Sequence, residues 1–203
     1  KPWFFSFNCF DPHHPFDPPA DYLERFPVGD MPLPSVHPNE EHRQTTFQKL
    51  DREWAHNQPG EFHSRAMTDD DRRQVYAAYM AMVTLIDEQV GRILEALEET
   101  GQDRDTLVVF MSDHGEMLGD HGIYFKGPHF YDCQMRVPLA MRWPEGGIQS
   151  GRRVGGMVEL VDLAPTLLDA AGLEVPARIQ GKSLLPMLQG EDEAAYVHEQ
   201  VFA

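Results

Sequence analysis

The longest periodic pattern in the chain is a run of apolar positions spaced three or four residues apart. Its members are Val75, Tyr79, Met82, Ile86, Val90, Leu94 and Leu97. This spacing places them on one face of an α-helix. Thr68, followed by three aspartates, supplies an N-cap and negative charge at the positive end of the helix dipole, and Gly101 suits the left-handed residue that ends a helix. The sequence therefore predicts one long helix between Thr68 and Gly101.

Short apolar runs, rather than helical spacing, characterise much of the remaining chain. Residues 106–111, TLVVFM, are so apolar that we expect a strand inside a sheet that is covered on both faces. Strands are also predicted for residues 2–9, RVPLAMRWP, GRRVGGMVEL and the final AAYVHEQVFA, and helices for LVDLAPTLLDAAG and SLLPMLQG. This alternation predicts an α/β fold with a mainly parallel sheet sandwiched by helices.

Residues 18–67 differ from the rest in composition, being rich in proline, histidine and charged residues. Their one helical spacing is modest and involves Phe47, Leu50 and Trp54. A long irregular insertion of this kind is unusual in a compact domain and more often shapes a pocket or an interface. We therefore expect residues 18–67 to form an irregular insertion that shapes a pocket.

Composition and charge limit the binding partners. The 203-residue chain has 41% hydrophobic residues, enough for one sizeable core, and a formal net charge of -16 without any basic run. This charge excludes nucleic acid and anionic membrane surfaces as expected partners, and no apolar run approaches the roughly 20 residues that span a bilayer. An anionic substrate must therefore be attracted locally, by a metal ion or by a few cationic side chains. The sequence does not indicate the cellular compartment of the protein.

The strongest candidate for chemistry is the loop SDHGEMLGDHGIYFKG, residues 112–127. Asp113 and His114 directly follow a predicted strand, and ligands gather at the carboxyl ends of strands in α/β sheets. Their carboxylate and imidazole can both reach one divalent cation if the backbone turns sharply, which Gly115 permits. Lys126 lies where the loop can fold back toward Asp113 and His114, so that the metal ion and the lysine can act on the same anionic group. Glu116 is expected to be solvated.

By itself this loop also fits a plain polar turn, but several ordered motifs together resemble the later half of the catalytic domain of the sulfatase family, within the alkaline phosphatase superfamily. The motifs are FFSFNCFDPHHPFDPP, which contains the PHxPF segment of that family, YAAYMAMVTLIDEQVGRILEALEETG, DRDTLVVFMSDHGEMLGDHGIYFKG, RVPLAMRWP and VELVDLAPTLLDAAGLEVPARIQGKSLLPMLQG. The resemblance is weakest across residues 20–67. It implies an alkaline phosphatase-like fold, with residues 1–203 as a partial catalytic domain and residues 173–203 as its C-terminal part.

The resemblance also implies roles for individual residues. Asp113 and His114 bind the divalent cation of the active site. Lys126 contacts the sulfate group and its bridging oxygen, and His13, the histidine of PHxPF, faces the ester and protonates the leaving group. Cleavage of a sulfate ester needs positive charge at the nonbridging oxygens and a proton or cation at the departing oxygen, which these residues supply. His121, in a GxHG turn, either holds the loop by a hydrogen bond or contacts the substrate.

The family's nucleophile is expected outside this sequence. Sulfatases use a formylglycine formed within a CxPSR-type motif, which surrounds neither Cys9 nor Cys133. Because the chain begins inside a predicted strand, we expect it to be the later part of a longer protein, truncated at the N-terminal side and catalytically silent alone. Family habit makes calcium the expected metal, whereas the carboxylate of Asp113 also admits magnesium and the imidazole of His114 manganese or zinc.

Three functions fit these observations. The first is a metal-dependent sulfuric ester hydrolase whose substrate is a small-molecule or saccharide sulfate ester. The second is a phosphonate or phosphate ester hydrolase of the same superfamily, which this sequence does not separate from the first. The third is a noncatalytic module that binds an anion. Because a partial domain leaves sheet edges and apolar faces uncovered, we also expect a homo-oligomer or association with the missing N-terminal part.

Overall fold

The computed structural model describes residues 1–57, 64, 66–148, 151–192, 196 and 198–201. The chain forms two compact units. The first consists of Lys1–Ile93 with His114–Arg136, and the second of Leu94–Asp113 with Val137–Ala203. Asp113 belongs to the second unit, whereas the other predicted site residues, His13, His114, His121 and Lys126, belong to the first.

The segment predicted as an irregular insertion contains the helices α1 (Ala20–Leu23), α2 (Glu40–Arg43) and α3 (Thr46–Asn57). Helix α3 confirms the modest helical spacing, but two of the apolar positions that predicted it, Phe47 and Leu50, are not buried. Phe47 is 65% exposed and Leu50 is 52% exposed. A polar side chain of the same helix makes a contact instead, since Gln48 donates to the Tyr131 hydroxyl over 2.9 Å. Helix α3 therefore uses polar positions to contact the rest of its unit.

The predicted long helix is confirmed as α4, which spans Asp69–Glu99. The Thr68 hydroxyl accepts from the Asp71 backbone N–H over 3.2 Å, and the Asp71 carboxylate accepts from the Thr68 backbone N–H over 2.7 Å, which forms a reciprocal cap. At the other end Gly101 has a φ of 66°, as the C-cap pattern requires. Among the described helices, none is both long and apolar enough to cross a membrane.

A buried aromatic cluster of the first unit lies directly before Lys126 in sequence. Tyr124 and Phe125 are buried, and Phe16, Met67 and Val75 pack against them. A short helix, α5 (Asp132–Met135), follows the loop. The apolar end of the loop is thus anchored in the core, whereas the next side chain, Lys126, is exposed.

The second unit contains a two-stranded antiparallel sheet of β1 (Val108–Met111) and β2 (Leu139–Arg142). The prediction of a mainly parallel sheet is wrong for the described residues, because these two strands pair directly and run in opposite directions. Strand β1 is also not covered on both faces, since Phe110 is 43% exposed and Met111 is 40% exposed. An apolar run predicted the strand correctly, but the run carries no information about the direction of its neighbour.

The strand predicted at residues 2–9 does not form. Its aromatic side chains are exposed, from 54% for Phe7 to 79% for Phe4. A strand needs a partner for its backbone N–H and C=O groups, and no described segment pairs with this one. The segment GRRVGGMVEL likewise contributes one isolated bridge, between Met157 and His198. The strand predicted at the end of the chain lies partly outside the described residues. Association of the chain through uncovered apolar faces stays a prediction.

Two predicted helices of the second unit are confirmed as α6 (Leu163–Ala170) and α7 (Leu185–Leu188). The fully buried Asp162 stands just before α6. Its carboxylate accepts from the backbone N–H groups of Glu159 and Lys182, each over 2.8 Å, and from His198 Nε2 over 2.9 Å. Asp162 therefore ties the start of α6 to the segment that leads into α7.

Candidate active site

The loop between His114 and Lys126 has a defined shape. The Met117 N–H donates to the Phe125 carbonyl over 3.0 Å, and the Gly119 N–H donates to the Ile123 carbonyl over 2.9 Å. Backbone φ angles are positive at Leu118, Gly119, His121, Gly122 and Phe125. Side-chain-bearing residues adopt this conformation rarely and at an energetic cost, which the closing hydrogen bonds offset.

The backbone on both sides of Lys126 is held by hydrogen bonds. The preceding carbonyl, of Phe125, accepts from Met117. The following residue, Gly127, is held twice by the buried Gln134 side chain, whose Oε1 accepts from the Gly127 N–H over 3.3 Å and whose Nε2 donates to the Gly127 carbonyl. The structure therefore fixes the backbone of Lys126 while its ammonium group remains exposed. Gln134 stands in no recognisable pattern, so the sequence did not reveal this role.

Ring contacts link the histidine-rich turn to the residue before Lys126. The His13 and His14 rings stack with centroids 4.1 Å apart, and the His14 ring lies 4.2 Å from the Phe125 ring. His13 Nδ1 donates to the His14 carbonyl over 2.6 Å, and because a carbonyl can only accept, Nδ1 carries a hydrogen. Nε2 is then the His13 nitrogen that can exchange a proton with a substrate. The structure thus places the turn that carries His13 against Phe125, the residue before Lys126.

The predicted metal ligands occupy the junction between β1 and the loop. Asp113 is exposed, and His114 is partly buried with Nδ1 donating to the Gly115 carbonyl over 2.8 Å. Metal-binding histidines commonly donate one ring N–H to a carbonyl in this way and use the other nitrogen as the ligand. No group of three or more histidine, cysteine, aspartate or glutamate side chains converges as a metal site within the described residues. The two donors fit a divalent cation in chemical type, and their ligand role stays a prediction.

Glu116 does not match the expectation that it is solvated. Its side chain is partly buried and accepts from the Leu118 N–H over 3.1 Å. Burial raises the pKa of Glu116, although hydrogen bonds from the backbone of Leu118, Phe125 and Met117 act in the opposite direction. Backbone N–H groups of the loop lie close to the carboxylate, and that of Leu118 donates to it directly. Glu116 is therefore part of the internal structure of the loop.

His121 is bonded through its backbone and its ring. Its N–H donates to the Ser35 carbonyl over 2.8 Å, and its carbonyl accepts from Gln44 Nε2 over 2.7 Å. Its Nδ1 donates to the Glu40 carboxylate, and its ring stacks on that of Tyr131 with centroids 3.7 Å apart. These contacts match the loop-holding alternative for His121, whereas its contact with a substrate stays a prediction.

Replacing Glu40 with glutamine is expected to make stability less dependent on pH in acid. Partial burial acts to raise the pKa of Glu40, but hydrogen bonds from His121 and from the His37 N–H outweigh it and hold the pKa below the ordinary 4.5. Because the folded-state pKa is depressed, the stabilisation is present above pH 4.5 and is lost as the pH falls through the folded-state value. We expect Glu40→Gln to lower the unfolding free energy by about 1 to 3 kcal/mol near neutral pH.

Urea unfolding between neutral pH and about pH 3 measures this effect. The exposed Glu24 offers a control variant, Glu24→Gln, which should unfold like the wild type at each pH. Parallel pH curves for wild type and Glu40→Gln are the result that contradicts the prediction.

Comparison with known proteins agrees with these features. The family model described as Sulfatase matches residues 1–173. The multifunctional alkaline phosphatase superfamily protein PehA of Trinickia caryophylli is 35% identical over 199 residues, which cover 93% of this chain and 38% of that protein. The arylsulfatase of Clostridium perfringens is 31% identical over 210 residues, which cover 98% of this chain and 40% of that protein.

A solved structure also matches this chain. The phosphonate monoester hydrolase from Silicibacter pomeroyi superposes with a TM-score of 0.79 and 34% sequence identity, over 89% of this chain and 36% of that one. The matched region therefore has the fold of one part of this longer hydrolase. The chain spans well under half the length of these proteins, with 36% to 40% of each covered.

Proposed function

Because the chain belongs to the sulfatase family of the alkaline phosphatase superfamily, we propose that the protein is a metal-dependent hydrolase of sulfuric esters. In this proposal Lys126 and His13 act on one ester group, beside a divalent cation held by Asp113 and His114. A small-molecule or saccharide sulfate ester is the substrate. The nucleophile is a formylglycine supplied by a segment that is not part of this sequence.

The observation that carries the proposal is the contact between the histidine-rich turn and the Lys126 loop. His14 touches both His13 and Phe125, at 4.1 and 4.2 Å between ring centroids. These two segments are about a hundred residues apart in sequence, and each carries one cationic or proton-donating group that the cleavage of a sulfate ester requires. Their proximity supports a shared role that neither segment indicates alone.

The chemistry follows from the two side chains. Lys126, with an exposed ammonium on a fixed backbone, places positive charge on the nonbridging oxygens as negative charge develops there. His13 Nε2 delivers a proton to the departing oxygen, because Nδ1 is engaged with the His14 carbonyl and orients the ring. When bound, the divalent cation supplies further positive charge at the ester oxygens.

Chelation of the metal is expected to abolish activity in a form of the protein that contains the nucleophile segment. Calcium is the first metal to test for recovery, followed by manganese, magnesium and zinc. We expect Asp113→Asn to raise the metal concentration needed for half-maximal activity by a factor of about 10 to 100, because it removes the ligand charge. The exposed Asp105, replaced by asparagine, is the matched control in the same unit. Full activity in chelator contradicts the metal dependence.

The proposed reaction is tested by comparing kcat/KM for an aryl sulfate, an aryl phosphonate monoester and an aryl phosphate. The proposal predicts that the sulfate is cleaved most efficiently and that inorganic sulfate is released. Peptide mass mapping of the longer protein should show formylglycine at a CxPSR-type segment. An unmodified residue there, or cleavage of none of the three esters, contradicts the proposal.

A second candidate is a phosphonate monoester hydrolase. It is favoured by the similarity to the phosphonate monoester hydrolase from Silicibacter pomeroyi, with its TM-score of 0.79. The same positive charge from Lys126 serves a phosphonate as well as a sulfate. A higher kcat/KM for the phosphonate monoester than for the sulfate supports this candidate over the first.

A further inference from the structure

We infer that two carboxylates of the segment 18–67, Glu40 and Asp51, are positioning residues that fix the place of Lys126. Each contacts a histidine of the surrounding chain, Glu40 with His121 and Asp51 with His129. These histidines lie five residues before Lys126 and three residues after it. The inference rests on the proposed role of Lys126 at the ester group.

The Asp51 and His129 pair is the more buried of the two. The His129 side chain has no exposed surface, and its Nε2 lies 2.8 Å from Asp51 Oδ2. Neither ring nitrogen of His129 makes another hydrogen bond within the described residues, so the contact with Asp51 is its polar partner. This contact adds little net stability, because His129 loses its hydration on burial, whereas removing Asp51 would leave the buried ring without this partner. We therefore expect the contact between Asp51 and His129 to fix the position of the neighbouring backbone more than to stabilise the fold.

Gly127 connects this pair to Lys126. A β-carbon built on Gly127 would lie 2.2 Å from Asp51 Oδ2 and 2.7 Å from His129 Nε2, so the pair touches the backbone of the residue that follows Lys126. The Gln134 side chain holds the same glycine through its N–H and its carbonyl. Any displacement of Asp51 is thus passed to Gly127 and from there to Lys126.

Glu40 acts at the other end of the loop. Its carboxylate accepts from His121, whose backbone is also held by Ser35 and Gln44. These three hydrogen-bond partners of His121 come from residues 35–44, within the segment that the sequence predicts to shape a pocket. Besides any pocket it lines, this segment therefore supports the loop that presents Lys126.

Alanine variants of both carboxylates test the inference in a form of the protein that cleaves esters. Asp51→Ala and Glu40→Ala are each expected to lower kcat about 10-fold to 100-fold, because misplacing a catalytic group has effects of this size. KM should change little, and Asp51→Asn, which keeps the shape, should retain more activity than Asp51→Ala. The exposed neighbours Lys49 and Glu41, replaced by alanine, are matched controls on α3 and α2.

A second background separates positioning from general destabilisation. In a protein that already carries Lys126→Met, Asp51→Ala should lower kcat no further, because the group that it positions is gone. Its effect on the melting temperature should be the same in both backgrounds. If Asp51→Ala lowers kcat by the same factor with and without Lys126, the inference is wrong.

Hydrogen exchange of the Gly127 amide gives a readout that needs no turnover. We expect at least tenfold faster exchange in Asp51→Ala than in Lys49→Ala, because Gly127 loses its contact with Asp51 and keeps only the hydrogen bonds to Gln134. A protein that cleaves no ester contradicts the proposed function, and faster exchange then still supports the positioning of Lys126. Unchanged exchange at Gly127 overturns the inference in either case.

Discussion

Replacement of Lys126 with methionine is expected to lower kcat/KM for a sulfate ester by a factor of about 10² to 10³. Loss of one preorganised group that stabilises developing negative charge has effects of this size. Methionine keeps much of the length of the side chain but removes its charge. Because the Lys126 side chain is exposed and its backbone is held by neighbouring residues, the variant should fold normally.

The measurement is steady-state cleavage of an aryl sulfate by wild type and variant, both in a form of the protein that contains the nucleophile segment, with Lys49→Met as the control for loss of one exposed positive charge. The control should retain wild-type kcat/KM. Lys126→Arg should restore activity only in part, because a planar guanidinium does not occupy the position of the compact ammonium. Equal activities of wild type and Lys126→Met would remove Lys126 from the mechanism.

Replacement of Gly115 with alanine is expected to destabilise the protein by about 3 to 5 kcal/mol, the range of severe packing and backbone conflicts. A β-carbon at this position would lie 2.0 Å from the Cys133 carbonyl oxygen and 2.9 Å from the Gln134 Cα. These are backbone atoms, so no side-chain rotation relieves the clash. The same glycine donates its N–H to the Gln134 carbonyl over 2.8 Å, and the added methyl group would push this contact apart.

The matched control is Gly91→Ala, in the middle of α4. Apart from the adjoining residues of the helix itself, no atom of the described residues lies within 4 Å of the position that its β-carbon would take. Alanine should stabilise this helix by about 0.5 to 1 kcal/mol, because it restricts the unfolded chain more than glycine does. Thermal and urea unfolding of the two variants beside the wild type check both predictions. A Gly115→Ala protein as stable as wild type contradicts the packing described at the start of the loop.

Local signals in the sequence predicted the helices well. Thr68 and Gly101 marked the ends of α4 because capping depends on residues within one turn of the helix end. Strand pairing depends on distant segments, which explains why residues 106–111 predicted β1 but not its antiparallel partner. Residues 2–9 have the composition of a strand, yet a strand forms only beside another one.

The residues of the candidate site also fall into two groups, those that local sequence signals predict and those that depend on contacts between distant segments. Asp113, His114 and Lys126 could be proposed from their types and spacing after a strand, and His13 from its motif. Gln134 and Asp51 could not, because each acts through a tertiary contact that no period or spacing encodes. The prediction for Glu116 was wrong, since an acidic loop residue is usually solvated, whereas here backbone N–H groups of the loop compensate for its partial burial.

A crystal structure of the protein with manganese and inorganic sulfate tests whether Asp113, His114, Lys126 and His13 form one site. We expect an anomalous manganese signal between the carboxylate of Asp113 and the imidazole of His114. We also expect a sulfate ion within hydrogen-bond reach of Lys126 Nζ and His13 Nε2. Manganese bound elsewhere, or sulfate bound without Lys126 and His13, would contradict the claim that these residues form one site for an anionic ester.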